Sequence, residues 1–516
     1  MRYHFVFGLL ICFSVHAQDS LVRWNEIKFT TAFESESFNL FIKQKDDDFL
    51  RMFLGNDPDA ATDLSKFRQK TNIVLDNIRS SGELTKKNGK KIKYIYNLVH
   101  EKFFTQYEAE NRFYEIIQTG KYNCVTATAL YAWFFTQLNI PYTIKEEPTH
   151  VYLVAYPDSD NIMVETTSPV KGFYTFNPEF KSAYVKTLKD QKIIGPDEAA
   201  NPTEALFNKY YFGSENISFT QLVGIHYMND ALFRNDHDDI EGAYEQIKKA
   251  YFFYPGQRSE FLLMSFTSAL IEDGKIDPLR KSSLIGLASR MTKSRITPEM
   301  IKGEFQNITL SVLVQNGDRA LYKKCYEELI RNVADESLRN DLAYMYNYEN
   351  GRIHYNAGNH NLAKPFLMEA LKLQPNNADL SATVIASLVQ SLRNLRQSRP
   401  IVDSLEHYRN KFQSFSENNN FNSLLALAYV GAFGEAYLEG NVAEGDKYRK
   451  QFEDLYNAHK DINLISTEVI GHAYSNACTY YFKKGQKAKA KQFLEQGLAI
   501  VPNDAQLRLR KQMINQ

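Results

Sequence analysis

One recurrence constrains this chain more than any other feature. Between residues 344 and 377, Gly351, Gly358, Ala363, Leu367, Ala370 and Pro375 fall at offsets 0, 7, 12, 16, 19 and 24. Near the C-terminus Cys478, Gly485, Ala490, Leu494, Gly497 and Pro502 occupy the same six offsets. Small residues at such spacings are what two helices need where they cross closely, glycine suits the turn between them, and proline cannot continue the second helix. A partial third copy, Ala243, Ile247, Ala250 and Pro255, keeps the last four offsets, and fainter ones start around Gly440, Gly317 and Gly274. Such helix pairs cannot bury their apolar faces alone, so the pattern predicts stacking of about five to seven pairs between 220 and 516, with an extended concave surface.

The 34-residue recurrence resembles the tetratricopeptide repeat. The resemblance implies a surface that holds peptides or proteins. In this frame Cys478 takes a position normally held by a small residue packed between helices. Cys325, flanked by Tyr322 and Tyr326 at helical spacing, reads as a buried small hydrophobe.

A chain of 516 residues exceeds what one core usually organises, so a second domain must precede the repeats. Its composition, 44% hydrophobic with 35 Phe and 32 Tyr, is that of a folded protein. Lys plus Arg and Asp plus Glu are both 61, so the charge balance favours neither nucleic acid nor an anionic membrane surface as partner. The basic run Lys86-Lys87-Asn88-Gly89-Lys90-Lys91 reads as a solvated loop leading into a helix, and Asp46-Asp47-Asp48 as its acidic counterpart.

The N-terminus has the form of a secretory signal peptide, residues 1–17. Arg2 precedes the apolar run Phe5 to Phe13, and Val15-His16-Ala17 offers a small-residue cleavage site before Gln18. The run is too short to span a bilayer, and no later stretch approaches the roughly 20 apolar residues of a transmembrane helix. Bulky Ile11 before Cys12 argues against lipidation. A soluble periplasmic or secreted protein is expected, with Cys124, Cys325 and Cys478 as its cysteines; an odd number leaves at least one free thiol.

Residues 20 to 120 read as mostly helical, with amphipathic segments at Leu64 to Ile78 and Lys91 to Phe104. From about 122 to 176 one apolar helix is followed by two alternating runs, Thr149 to Tyr156 and Asn161 to Thr167, that look like paired strands. A loop is expected between about 185 and 205, with no strand after it. The domains are therefore expected at 18–205 and 215–516.

The chemistry concentrates in Lys121-Tyr122-Asn123-Cys124-Val125-Thr126, continuing to Ile140-Pro141. Cys124 falls in the first turn of a buried helix, where unpaired backbone N–H groups and the helix dipole favour a thiolate and could hold an oxyanion. A nucleophilic thiol needs a base and a group that orients the base. His150 opens one candidate strand and Glu165 lies on the next. A tight turn centred on Pro157-Asp158 would set the two directly opposite, whereas a longer loop would shift the register.

The order Asn-Cys at a helix start, an Asn-Ile-Pro helix end, His-Val on one strand and Val-Glu-Thr-Thr on the next resembles the bacterial transglutaminase-like superfamily, including members in which such a domain precedes tetratricopeptide repeats. The resemblance implies a papain-like α+β domain followed by an all-α repeat solenoid. It also implies Cys124 as nucleophile, His150 as base and Glu165 as orienting acid. Glu165 stands where many such enzymes have Asp, and the interval of 26 residues from Cys124 to His150 is short.

No HExxH, paired CxxC, P-loop or GxGxxG motif occurs, so no metal or cofactor is implied. Asp236-His237-Asp238-Asp239 falls in an expected turn between repeat helices and reads as a solvated loop. Two functions are expected. One is a thiol acyl-transferase or amide hydrolase acting on peptide or protein substrates that the solenoid helps to bind. The other is a catalytically silent periplasmic scaffold in which the repeats alone hold partners.

Overall fold

The computed structural model describes residues 21–43, 49–167, 173–174, 178–191, 193–211, 213, 215–291, 296–392, 397–459 and 465–515. The expected signal segment 1–17 with Cys12, and the Asp46-Asp47-Asp48 run, lie outside them. Contacts divide the chain into two compact units, Met1–Arg295 and Ile296–Gln516.

The first unit opens with helices Ala32–Ile42, Ala60–Ser80 and Asn88–Phe103. In the second of these Leu64, Phe67, Thr71, Val74, Leu75 and Ile78 are buried at three- and four-residue spacing. The third buries Ile92, Ile95, Tyr96, Val99 and Phe103 in the same way, so each presents one apolar stripe to the core. This third helix already begins at Asn88, so half of the lysine run is its first turn rather than a loop before it. The next long helix, Cys124–Gln137, is buried all round: ten of its 14 residues are inaccessible. Tyr131 fixes its rotation, stacking on Tyr96 at 5.2 Å and donating its hydroxyl to the Tyr96 carbonyl at 3.1 Å.

That helix packs on a five-stranded antiparallel sheet: β1 Tyr142–Glu147, β2 His150–Ala155, β3 Ile162–Val164, β4 Phe173–Tyr174 and β5 Glu215–Ile217, in spatial order β4-β3-β2-β1-β5. Three features depart from expectation. First, β2 and β3 pair Leu153 with Val164, Val154 with Met163 and Ala155 with Ile162. Continuing that register sets Glu165 level with Tyr152 and His150 level with Thr167, so His150 and Glu165 are diagonal rather than opposite. The cause is a six-residue connection, 156–161, in which Tyr156 and Asn161 take positive φ of 54° and 46° and the Asn161 amide closes on the Tyr156 carbonyl at 3.0 Å. A shift of two residues keeps both side chains on one face of the sheet.

Second, β1 is a strand despite Lys145 and Glu146, residue types depleted from sheets. As an interior strand it buries both at 8% exposure, and Glu146 is satisfied by the Tyr254 hydroxyl at 2.6 Å and Arg258 at 2.9 Å. Third, the expected loop at 185–205 is shorter, confined to the connection between helices Pro178–Asp190 and Thr203–Tyr211, and a strand, β5, follows it. These two helices cover the sheet face carrying Tyr152 and Val154.

Helices Phe219–Asp236 and Ile240–Phe253 complete this unit with Gln257–Glu272 and Pro278–Ala288. The N-terminal segment is locked onto the first pair by a buried ion pair. Glu34, fully inaccessible, lies 2.8 and 2.9 Å from the Lys249 ammonium and accepts the Tyr227 hydroxyl at 2.9 Å. Lys248 adds a hydrogen bond to the Glu26 carbonyl at 2.6 Å.

The second unit is a succession of helices from Pro298–Ile308 to Ala505–Asn515, with one core running from Ala363 to Leu507. The best sequence copy forms the pair Glu336–Asn356 and His360–Leu373. Gly351 is where they touch: a Cβ there would sit 2.6 Å from the Leu367 side chain. Gly358 makes the turn at φ 74°, and Ala363, Leu367 and Ala370 are fully buried. In the last pair, Thr467–Lys483 and Lys487–Ile500, Cys478 is 1% exposed between the helices. Cys325 is likewise buried.

Candidate functional site

The start of the Cys124–Gln137 helix is fixed by polar groups. Asn123, the N-cap, accepts the Thr126 amide at 3.0 Å while Thr126 Oγ1 accepts the Asn123 amide at 2.9 Å, a reciprocal box that satisfies two otherwise unpaired donors. Thr126 then donates to Asn111 Oδ1 at 2.8 Å, and the Asn123 side-chain amide donates to the carbonyls of Ala109 and Asn111 at 3.1 and 3.2 Å. Cys124, the first helical residue and half-buried, is thereby held at a rigid, dipole-positive end.

The imidazole of His150 brings the other two predicted residues to this thiol. His150 Nε2 lies 3.1 Å from Glu165 Oε2, and the Cys124 side chain is a hydrogen-bonding neighbour of the same ring. Hydrogen bonding to Cys124, and next to Glu165, outweighs burial and raises the His150 pKa to about 10. Burial pushes the Glu165 carboxyl up, but hydrogen bonds from His150 and Thr167 prevail and hold it down at about 2. The second oxygen of Glu165 is occupied as well: Oε1 accepts the Thr167 amide at 3.0 Å and its hydroxyl at 2.7 Å. The carboxylate therefore cannot rotate away from the ring without losing two bonds. The side chains of His150 and Glu165 remain 26% and 14% exposed, so solvent reaches the pair.

Several residues without a predicted role belong to this arrangement. Thr128, one turn beyond Cys124, approaches the Val151 carbonyl at 3.3 Å and the Thr166 hydroxyl at 3.1 Å. Tyr107 is 50% exposed and is set beside the helix start by a short parallel bridge that pairs it with Tyr122. Partial burial, then the neighbouring Cys124 and Glu165, raises its pKa. The only sequence signal for any of these was the Thr166-Thr167 pair, which lay inside the quoted motif.

Residues 346–377 match the tetratricopeptide repeat. This is the stretch in which the recurrence is clearest, and the match covers the pair joined at Gly351 and Gly358. No curated protein matches the chain. The repeat type suggests protein–protein interaction, and the second unit has a surface of the right kind. A groove of about 420 Å³ between helices Ala378–Leu392 and Asn419–Glu439 is lined by Ile385, Val389, Leu424 and Leu427, with Asn418 and Asn420 at hand.

Two other features resolve into structure. Asp236-His237-Asp238-Asp239 makes the turn between helices Phe219–Asp236 and Ile240–Phe253: Asp238 has φ 62°, Asp239 caps the Gly242 amide at 2.9 Å, and His237 contacts Glu110 at 3.0 Å. A cleft of about 790 Å³ is lined by Glu146, Tyr254, Arg258 and Phe261 and by none of the three site residues. Its buried carboxylate is already neutralised by Arg258.

Proposed function

We propose that this chain is an exported transglutaminase-like thiol acyl-transferase or amide hydrolase that acts on peptide or protein substrates, with the tetratricopeptide repeats binding protein. The observation that supports it most is the imidazole shared by Cys124 and Glu165, with both carboxylate oxygens engaged. In this reading residues 18–205, completed by strand β5 at Glu215–Ile217, form a papain-like α+β domain with an N-terminal helical region, and the repeats follow it up to 516. The signal segment 1–17 directs the chain to the periplasm or outside the cell. Burial of Cys325 and Cys478 is compatible with free thiols in such a compartment.

The raised His150 pKa favours a resting imidazolium, paired with Glu165, across neutral pH. The Cys124 thiolate would attack the carbonyl carbon of an amide or ester, with the amides at the helix start facing the developing oxyanion. As the C–N or C–O bond breaks, His150 gives its proton to the leaving group, and Glu165 stabilises the imidazolium while keeping its tautomer. Water or an amine then loses a proton to His150 and attacks the thioester, and the C–S bond breaks to regenerate the thiolate. The test is the pH dependence of iodoacetamide alkylation at Cys124, followed by mass spectrometry, in the wild type and in His150→Ala, with Cys478 as internal control. Alkylation that persists below pH 7 and collapses in the variant supports the reading. A rate no faster than an ordinary thiol, indifferent to His150, removes its chemical basis. That result would favour the second reading, a silent scaffold whose groove at Ile385 and Leu424 holds partners.

A further inference from the structure

Among the described residues, buried threonines beyond the first turn of their helices follow one rule. Thr71 donates to the Phe67 carbonyl at 2.7 Å and Thr267 to that of Leu263 at 2.6 Å, each four residues back. Partly buried Thr136, on the cysteine helix itself, does the same toward Ala132 at 2.9 Å. This is the ordinary local outlet for a helical hydroxyl. Thr128, fully buried, breaks the rule: its hydroxyl leaves the helix for the sheet, reaching the Val151 carbonyl and Thr166 Oγ1. A hydroxyl carries one proton. With that proton given to the carbonyl of Val151, the contact to Thr166 must be one that Thr166 donates, so the chain of bonds runs from Thr166 through Thr128 to Val151.

The three members of this chain are neighbours of the three site residues. Thr128 is one helical turn from Cys124, Val151 follows His150, and Thr166 follows Glu165. One buried knot therefore ties together the three chain segments that bear the thiol, the imidazole and the carboxylate. It sits one layer beneath the site, where no solvent can take over a lost bond. We propose that Thr128 is a positioning residue, whose hydroxyl sets the approach of Cys124 to His150 by fastening the cysteine helix to strand β2 and to the segment that follows β3. This inference rests on the proposed thiol chemistry, since it concerns how that site is held.

The experiment compares alkylation of Cys124 by iodoacetamide from pH 5 to 9 in the wild type, Thr128→Val, Thr128→Ser and Thr166→Val, with Thr136→Val as a control on the same helix. Valine keeps the shape of threonine and removes the hydroxyl; serine keeps the hydroxyl. Displacement of a reacting group by a fraction of an ångström to one ångström costs on the order of tenfold to a hundredfold. Thr128→Val is therefore expected to lose about tenfold or more of the wild-type rate below pH 7 and to acquire the pH profile of an ordinary thiol. Thr128→Ser and Thr136→Val should stay within about twofold of wild type, and Thr166→Val should shift the profile in the same direction as Thr128→Val but less. A general loosening of the first unit would instead lower its urea midpoint, which the fluorescence of Trp24 and Trp133 follows. Should Thr128→Val fail to fold, Thr166→Val decides, because it leaves Thr128 in place. A wild type that is reactive below pH 7 with Thr128→Val and Thr166→Val unchanged overturns the positioning role and leaves the proposed function standing. A wild type unreactive below pH 7 overturns both, and the wild type alone shows it.

Discussion

Replacing His150 by glutamine should destabilise the first unit in a pH-dependent way whose sign is set by the two shifted groups. The imidazole pKa is raised from 6.5 to about 10 by Cys124 and Glu165. Its contribution to stability is thus fully present below pH 6.5 and lost as pH rises through about 10. Glu165 is lowered from 4.5 to about 2, so its contribution is present above pH 4.5 and lost only as pH falls through about 2. Both are intact between pH 4.5 and 6.5. Linkage converts the full His150 shift into about 5 kcal/mol. Water reaches a side chain that is 26% exposed, and screening leaves about 2 to 3 kcal/mol. Both tryptophans of the chain, Trp24 and Trp133, lie in the first unit, so fluorescence during urea denaturation follows that unit alone. The wild type should exceed His150→Gln by about 2 to 3 kcal/mol at pH 6, and the difference should shrink toward zero as pH passes 10. Titration of groups away from the site is common to both proteins and cancels. A difference that is the same at pH 6 and pH 10 would mean that the imidazole is not held charged by its neighbours, and the resting ion pair would have to be abandoned.

Two further outcomes follow from packing and burial. Glu34→Ala strands the Lys249 ammonium, 1% exposed, without its partner and should lower the same tryptophan-monitored stability by about 3 to 5 kcal/mol; Glu34→Leu combined with Lys249→Met should recover most of that loss. A Cβ at Gly351 would meet Leu367 at 2.6 Å, so Gly351→Ala should destabilise the second unit by about 1 to 3 kcal/mol. Gly303→Ala, in helix Pro298–Ile308 with nothing within 4 Å of the new carbon, should instead stabilise it by about 0.5 to 1 kcal/mol. Circular dichroism during thermal unfolding separates these two, and equal effects would show that the close approach at Gly351 does not set the helix spacing.

What was legible in the sequence is what short-range physics writes there. The repeat pairs could be read because close helix crossing demands small residues at fixed offsets, and Gly351, Ala363 and Ala370 sit at the contact those offsets describe. The start of the cysteine helix could be read because Asn123 is a capping residue and the run from Val125 to Phe135 is apolar on every side. Strand β1 escaped notice because its decisive partners are remote. Glu146 can be buried only once Tyr254 and Arg258 arrive, 108 and 112 residues further along the chain. The hairpin register escaped because a tight turn and a six-residue connection give the same facing of His150 and Glu165, and alternation along a strand records the face but not the partner.

The same limit governs the site itself. A local rule applied to Thr128 would hand its hydroxyl to the carbonyl of Cys124, as Thr136 does to Ala132 on the same helix, and nothing within four residues says otherwise. Its actual partners lie 23 and 38 residues away, on β2 and just past the end of β3, in a hairpin whose register the sequence leaves open. The residue types that perform the chemistry can therefore be named from their order along the chain. The groups that bring them within reach of one another can be found only once the helix has been laid on the sheet. That is why Thr128 rather than Cys124 is the more demanding test of the arrangement: substitution of the cysteine abolishes the chemistry under any account of the geometry, whereas loss of one buried hydroxyl changes the reactivity of an untouched thiol only if the knot holds it in place.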